Sequence, residues 1–165
     1  MKRVAICAAA QHEIKSNIWH KRFQDMLMDL LEDVQGQTGF TFGDNGVKNV
    51  LTCSDDFFDA RTISDNAIND VVGAGNYRGE QKMAQEGLNG IGYAMACILS
   101  GHDDVIYFAG HCKGSSSASR NQISNMAYDP FYCRCLGLDY LSAAGLQARA
   151  YMEKAAVTEE QLAKA

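Results

Sequence analysis

The sequence predicts an α/β domain built on a largely parallel sheet. Three observations carry this reading. Short apolar runs at 3–9, 47–52 and 104–109 read as strands, the polar stretch 78–83 reads as a short strand leading into a helix, and these alternate with segments of helical periodicity. The helical stretch from Glu86 to Ser100 leaves almost no polar face, the signature of a helix covered on every side. The 165 residues are 47% hydrophobic and 21% charged, the composition of one ordinary domain with a real core.

Residues 3–9 (Arg-Val-Ala-Ile-Cys-Ala-Ala) read as a short buried first strand, followed by a polar segment from Gln11 to Asn17. From Trp19 to Val34, apolar residues at Trp19, Phe23, Met26, Leu27, Leu30, Leu31 and Val34 form one stripe, so this helix should cover the sheet from outside. Gly36, Gly39, Gly43 and Gly46 mark a loop before the strand 47–52. Ser64 or Asp65 is placed to cap a short helix through Val72. Gly73, Gly75 and Gly79 punctuate a turn, but their spacing is not that of a dinucleotide fingerprint. After the strand 78–83 comes the apolar helix, rich in Gly and Ala, which Gly101 ends.

Asp104 to Ala109 is a buried strand, and Gly110, His111 and Cys112 follow at its carboxyl end, where open α/β sheets bind ligands. From Gly110 to Pro130 the composition turns to Ser, Asn and Gly, the mark of a surface loop and a place for function. A helix resumes from about Leu138 to Lys154, and Thr158-Glu159-Glu160-Gln161 is a capping box that opens another. That last helix is capped only shortly before Ala165, so the natural chain is expected to continue. The organisation read from this is a core over 1–110, an excursion over 111–137 and helices returning to the core over 138–165.

Composition excludes several classes. With 15 basic and 20 acidic residues the net charge is −5, which disfavours nucleic-acid binding. The longest apolar stretch, around Ile91 to Leu99, falls well short of the ~18 residues of a membrane span. The N-terminus lacks the length of a signal peptide, so a cytoplasmic protein with reduced thiols is expected. The six cysteines at 7, 53, 97, 112, 133 and 135 form no CxxC pair, and Cys133-x-Cys135 is too tight for a zinc knuckle, so no metal site is expected.

The order of segments resembles the N-terminal half of a thiolase, particularly the sterol-carrier-protein-type and archaeal thiolase-like group. The matching text is the helix from Gly87 to Gly101, the strand Asp104-Val-Ile-Tyr-Phe-Ala-Gly110, the stretch Tyr128-Asp-Pro-Phe-Tyr132 with Leu136-Gly137, the helix around Gln147 to Met152, and Val157-Thr-Glu-Glu-Gln-Leu162. The resemblance implies a thiolase-like N-terminal half: a mostly parallel sheet, a buried central helix and a loop-domain insertion. It implies carbon–carbon bond cleavage or formation on coenzyme A thioesters, of acyltransferase or retro-aldolase type. The wider group includes retro-aldolases of sterol side chains and thiolases of anaerobic aromatic degradation, such as benzoylsuccinyl-CoA thiolase. It further implies a homodimer through the strand near 78–83 and a small zinc-ribbon/OB-fold partner subunit.

The sequence departs from the family where the chemistry sits. Thiolases carry a nucleophilic cysteine as CxSG at the start of the buried helix; aligned on Gly87, this chain reads Ala84-Gln85-Glu86-Gly87. Alanine cannot form an acyl-thioester, and the half that supplies the family's catalytic His is not in this chain. Glu86 is read either as a favourable charge at a helix N-terminus or as a carboxylate facing the acyl site. Cys112 is the leading thiol for a relocated nucleophile, beside His111 and Lys113, whose positive charge favours a thiolate; the plainer reading is an inert cysteine at the family's acidic position. An acid–base route without a covalent intermediate is preferred, because Cys112 stands where the family places a structural acidic residue and a buried thiol without a nearby cation keeps its proton. Lys113, Arg120 and Arg134, with the hydroxyl of Ser115, are the candidates for holding the phosphates of coenzyme A. Tyr128, Phe131 and Tyr132 either line an aromatic pocket or pack the loop, and His12 and His20 are taken as surface or loop histidines. The alternative to an enzyme is a non-catalytic thiolase-like scaffold that supports a catalytic partner.

Overall fold

A computed structural model describes residues 3–18, 20–54, 71, 79–84, 87–114 and 119–164. The chain divides into two compact units, Met1–Ser117 and Ala118–Ala165. The division falls inside the segment read from sequence as the excursion 111–137.

The first unit begins with residues 3–18 in irregular backbone. Helix α1 (Phe23–Thr38) follows. Arg22 sets its start: its backbone N–H and its guanidinium both bond the Asp25 carboxylate, at 3.1 and 2.8 Å. The guanidinium hydrogen bond holds the Asp25 carboxyl below the usual carboxylate range. Gly39 ends the helix at φ 68°, a left-handed conformation that a side chain would strain, with its N–H on the Gln35 carbonyl at 2.7 Å. The helix therefore runs through Gly36, where the sequence suggested a loop.

Among the described residues three parallel strands form the sheet: β1 (Asn49–Ser54), β2 (Gly79–Met83) and β3 (Ile106–His111), in the order β2-β1-β3. Asn49 pairs with Gly79 on one side and Ile106 on the other. The central strand is covered on both faces, which is why Val-Leu-Thr-Cys-Ser is buried without alternation. Phe23, Leu27 and Leu31 of α1 pack with Val47, Val50, Tyr107 and Ala109, so α1 covers one face of the sheet. Helix α2 (Gly87–Leu99) lies on the other, through Gly90, whose position faces Phe108 and Cys53. At the amino ends, the Asn49 amide hydrogen-bonds the buried Asp103 carboxylate, in space that a side chain on Gly79 would fill.

One expectation is corrected here. Residues 3–9 are not a strand of this sheet: Ile6 is 75% exposed and Cys7 is exposed. Ala5, Ala8 and Ala9 take three of its seven positions, alanine is a poor strand former, and pairing there would bury little apolar area. The all-round cover expected of α2 is that of a full assembly, and this chain by itself supplies part of it. Gly90 is its buried residue, while Leu88 is 79% exposed and Ile91, Tyr93, Met95 and Leu99 are exposed too. The sheet covers one side of the helix and leaves the rest open. The other boundaries differ little: the strands expected at 47–52 and 104–109 form two residues later, and the short helix expected before Val72 lies almost wholly outside the described residues.

The second unit is helical among its described residues. Ser119 caps α3 (Arg120–Asn125), accepting from the Gln122 N–H at 3.3 Å, and Ile123 is buried. The Ser/Asn-rich stretch is thus partly helical rather than loop throughout. A single 3-10 turn follows at Arg134–Leu136, then α4 (Tyr140–Ala155), capped by Asp139 on the Ser142 N–H at 2.7 Å. The capping box read at Thr158 opens α5 (Glu159–Leu162), with Thr158 and Gln161 exchanging bonds of 2.8 and 3.3 Å.

Candidate functional site

The carboxyl end of β3 opens into a cleft of about 330 Å³. Gly110, His111, Cys112 and Lys113 form one wall, Phe23, Met26, Leu27 and Leu30 of α1 another, and the irregular segment 10–15 with Ile18 the third. This is the low end of the range in which small-molecule sites fall, roughly 300–1,000 Å³. Its lining joins an apolar floor to a predominantly basic rim: His12, Lys15, His111 and Lys113 against Glu13.

Parallel pairing decides what stands where. The register carries β3 one step past Gly110, pairing His111 with Ser54, so His111 shares the face of Tyr107 and Ala109 that α1 covers. Its ring stacks on Phe23 at 5.2 Å between centroids and 18° between planes, and both ring nitrogens are shielded from solvent. One residue on, Cys112 is exposed at the cleft. The Lys113 ammonium turns back to hydrogen-bond the backbone carbonyl of Lys21. Lys21 in turn pairs with Asp29 on α1, and Asp29 lies 3.7 Å from His12 Nε2. The His12 Nε2–H donates to the Met26 carbonyl at 2.8 Å. Lys15 and Glu13 pair with each other at 2.9 Å.

Of the site residues read from sequence, the structure brings together His111, Cys112 and Lys113. Of the two grounds for an acid–base route, the burial of Cys112 does not hold, because the thiol is exposed; the place of Cys112 at the family's acidic position is untouched. Arg120 and Arg134 belong to the second unit. Arg134 binds its own unit, donating from Nη2 to the carbonyls of Met126 at 2.6 Å and Tyr128 at 3.2 Å, so part of its donor set closes the turn after α3. Phe131 and Tyr132 are 81% and 79% exposed. Glu86 and Ser115 lie outside the described residues. Among the described residues no three His, Cys, Asp or Glu side chains stand together as a metal site.

Sequence reasoning missed His12. It was set aside as a loop histidine, and no local pattern marks it; only the course of residues 10–18 along α1 brings it to the cleft. Compared with protein-family models, curated proteins and solved structures, the chain gives no match. No helix among the described residues is long and apolar enough to cross a membrane.

Proposed function

We propose that the protein is a thiolase-like acyl-CoA-processing subunit whose chemistry uses the cleft at the end of β3. The observation that carries this reading is the exposed Cys112 thiol at the mouth of an apolar-floored, basic-rimmed cleft at the carboxyl end of a parallel strand. The resemblance supplies the substrate class, coenzyme A thioesters, and the reaction type, acyl transfer coupled to carbon–carbon bond cleavage or formation. With Ala84 at the family's nucleophile position, the acyl group needs another carrier, and Cys112 is the thiol at hand.

The acyl-transfer step is thioester exchange. The Cys112 thiolate attacks the carbonyl carbon of the acyl-CoA, a new carbon–sulfur bond forms, and the bond to the coenzyme A sulfur breaks. That sulfur leaves with the electron pair and takes up the proton released from Cys112, with the cleft imidazoles His111 and His12 as the groups suited to hold it in transit. The assignment of Arg120, Arg134 and Ser115 to the coenzyme A phosphates rests on the resemblance alone. Pairing of two copies through β2 fits its place at the edge of the described sheet. A cytoplasmic setting and a zinc-ribbon/OB-fold partner belong to the same reading and rest on the resemblance.

The test is incubation with radiolabelled acyl-CoA followed by peptide mapping. Label on the peptide containing Cys112, lost in Cys112→Ala, is the expected result; no label on this chain, alone or with its partners, sinks the covalent route. The second reading is a non-catalytic scaffold, and the exposed apolar surface of α2 favours it. Unchanged turnover of a complete complex carrying Cys112→Ala would decide for the scaffold.

A further inference from the structure

We infer that the cleft at the end of β3 is a pocket for the hydrocarbon chain of the acyl group, and that Met26 and Leu30 of α1 are the side chains that select it. The inference deepens the acyl-transfer reading and rests on it for the identity of the occupant.

The apolar stripe of α1 is wider than the sheet requires. Phe23, Leu27 and Leu31 carry it onto Val47, Val50 and Tyr107 and are buried there. Met26 and Leu30 stand at the edge of the same stripe, one turn apart, and are half-buried. They line the cleft together with Phe23 and Leu27, so positions 23, 26, 27 and 30 give it one continuous apolar side. Among the described residues these four are what α1 brings to the lining, and none of them is charged. Ile18, also half-buried, adds an apolar side chain from a different wall. A hydrocarbon chain laid on Met26 and Leu30 would remove their remaining apolar surface from water, and the unbranched Met26 adapts to the bend of the chain.

Size and position suit an acyl chain of moderate length. A dry apolar cavity of about 150 Å³ holds one benzene ring. By that measure the cleft of about 330 Å³ takes roughly a dozen carbon atoms. Its mouth is open, which shortens the useful length to about eight to ten carbons. Cys112 is exposed at this cleft, so an acyl group carried on its sulfur starts at the mouth with the apolar side of α1 lining the space beyond.

The probes are N-acetylcysteamine thioesters of butanoic, hexanoic, octanoic, decanoic and tetradecanoic acid, which carry the acyl group without nucleotide or phosphate. Binding to the full chain carrying Cys112→Ala, which cannot be acylated at that position, is followed by chemical-shift titration. Affinity should rise about two- to fourfold per methylene from butanoyl to octanoyl. From decanoyl to tetradecanoyl the whole gain should stay below about twofold, because the added carbons lie outside the cleft. In the same background Leu30→Trp fills the space and should weaken octanoyl binding by at least about tenfold while changing butanoyl little. Met26→Ala and Leu30→Ala remove apolar contact without crowding and should each cost octanoyl about fivefold. Affinity that does not depend on chain length overturns the pocket, as does an octanoyl affinity untouched by both alanine variants. Length dependence intact with no acyl label on Cys112 would sink the acyl-transfer reading and leave the hydrocarbon pocket standing. Label on Cys112 with no length dependence would do the reverse.

Discussion

Gly90 is the point where α2 meets the sheet, and an added methyl group there tests the fold directly. A Cβ at this position would stand 2.5 Å from Phe108 Cε2, 2.8 Å from its Cζ and 3.5 Å from Cys53 Cβ. Carbon atoms settle at about 3.5–4.0 Å, so helix and ring must separate by roughly 1 Å. Overpacking of this kind costs about 1–3 kcal/mol. Against it stands the helix propensity of alanine, worth about 1 kcal/mol over glycine. The Phe108 ring is half-buried and yields part of the way, so Gly90→Ala should come out destabilised by about 1 kcal/mol.

Gly92, on the same helix, has nothing within 4 Å of its Cβ position. Gly92→Ala therefore keeps the propensity gain without the clash and should be stabilised by about 1 kcal/mol. For a chain of this size each kcal/mol moves Tm by about 2–4 °C. Thermal unfolding followed by far-UV circular dichroism should thus shift down for Gly90→Ala and up for Gly92→Ala. Equal upward shifts would mean that α2 does not lie on β1 and β3 through Gly90, and the packing argument fails.

Tyr107 and Asp139 give two pH tests. Burial pushes the Tyr107 phenol up from 10.0 to about 12. The unfolded chain then ionises first, so the stabilisation from this group, about 2–3 kcal/mol, is complete below pH ~10 and lost as pH rises to ~12. Alkaline unfolding of Tyr107→Phe should lack that component, and superimposable profiles would remove the buried phenol from the account. Asp139 is held below the usual carboxylate range, first by the Ser142 N–H it accepts at the start of α4. Its contribution is present above the unfolded pKa and fades as pH falls through the folded one. Asp139→Asn keeps the cap without the charge, so its helix content should respond less to acid titration than the wild type's; equal acid responses would count against a contribution from the Asp139 charge.

The parts of the fold legible in sequence were those fixed by local pattern. The stripe from Phe23 to Val34 marked α1 and its buried face, and the apolar runs around Val50 and Tyr107 marked the central strand and its neighbour. Thr158 and Gln161 announced their own cap. The position of His111, Cys112 and Lys113 followed from one topological rule, that parallel strands present ligands at their carboxyl ends. What local pattern missed depends on distant chain. Arg3 to Ala9 reads as a strand, yet its small side chains gain too little from pairing. His12 acquires a role only because Met26 and Asp29, a helix away in sequence, form the surface beneath it.

Helix α2 is the instructive case, because its pattern and its surroundings disagree. Between Gly87 and Leu99 there is no charged residue, and the pattern asks for cover on every side. A periodicity argument reports the sum of all surfaces a helix meets, whereas one chain supplies only its own. Here the sheet accounts for the Gly90 side, and Leu88, Ile91, Met95 and Leu99 are left as apolar surface of a kind that soluble monomers rarely keep contiguous. The expectation of all-round burial is therefore a statement about what surrounds this chain, and burial within the chain alone does not answer it. The Gly90 and Gly92 pair separates the two questions. Gly90 reads the face that the sheet covers, and Gly92 reads a face that is open in the chain itself. In a complete assembly a Gly92→Ala change that turns destabilising would report cover on that second face.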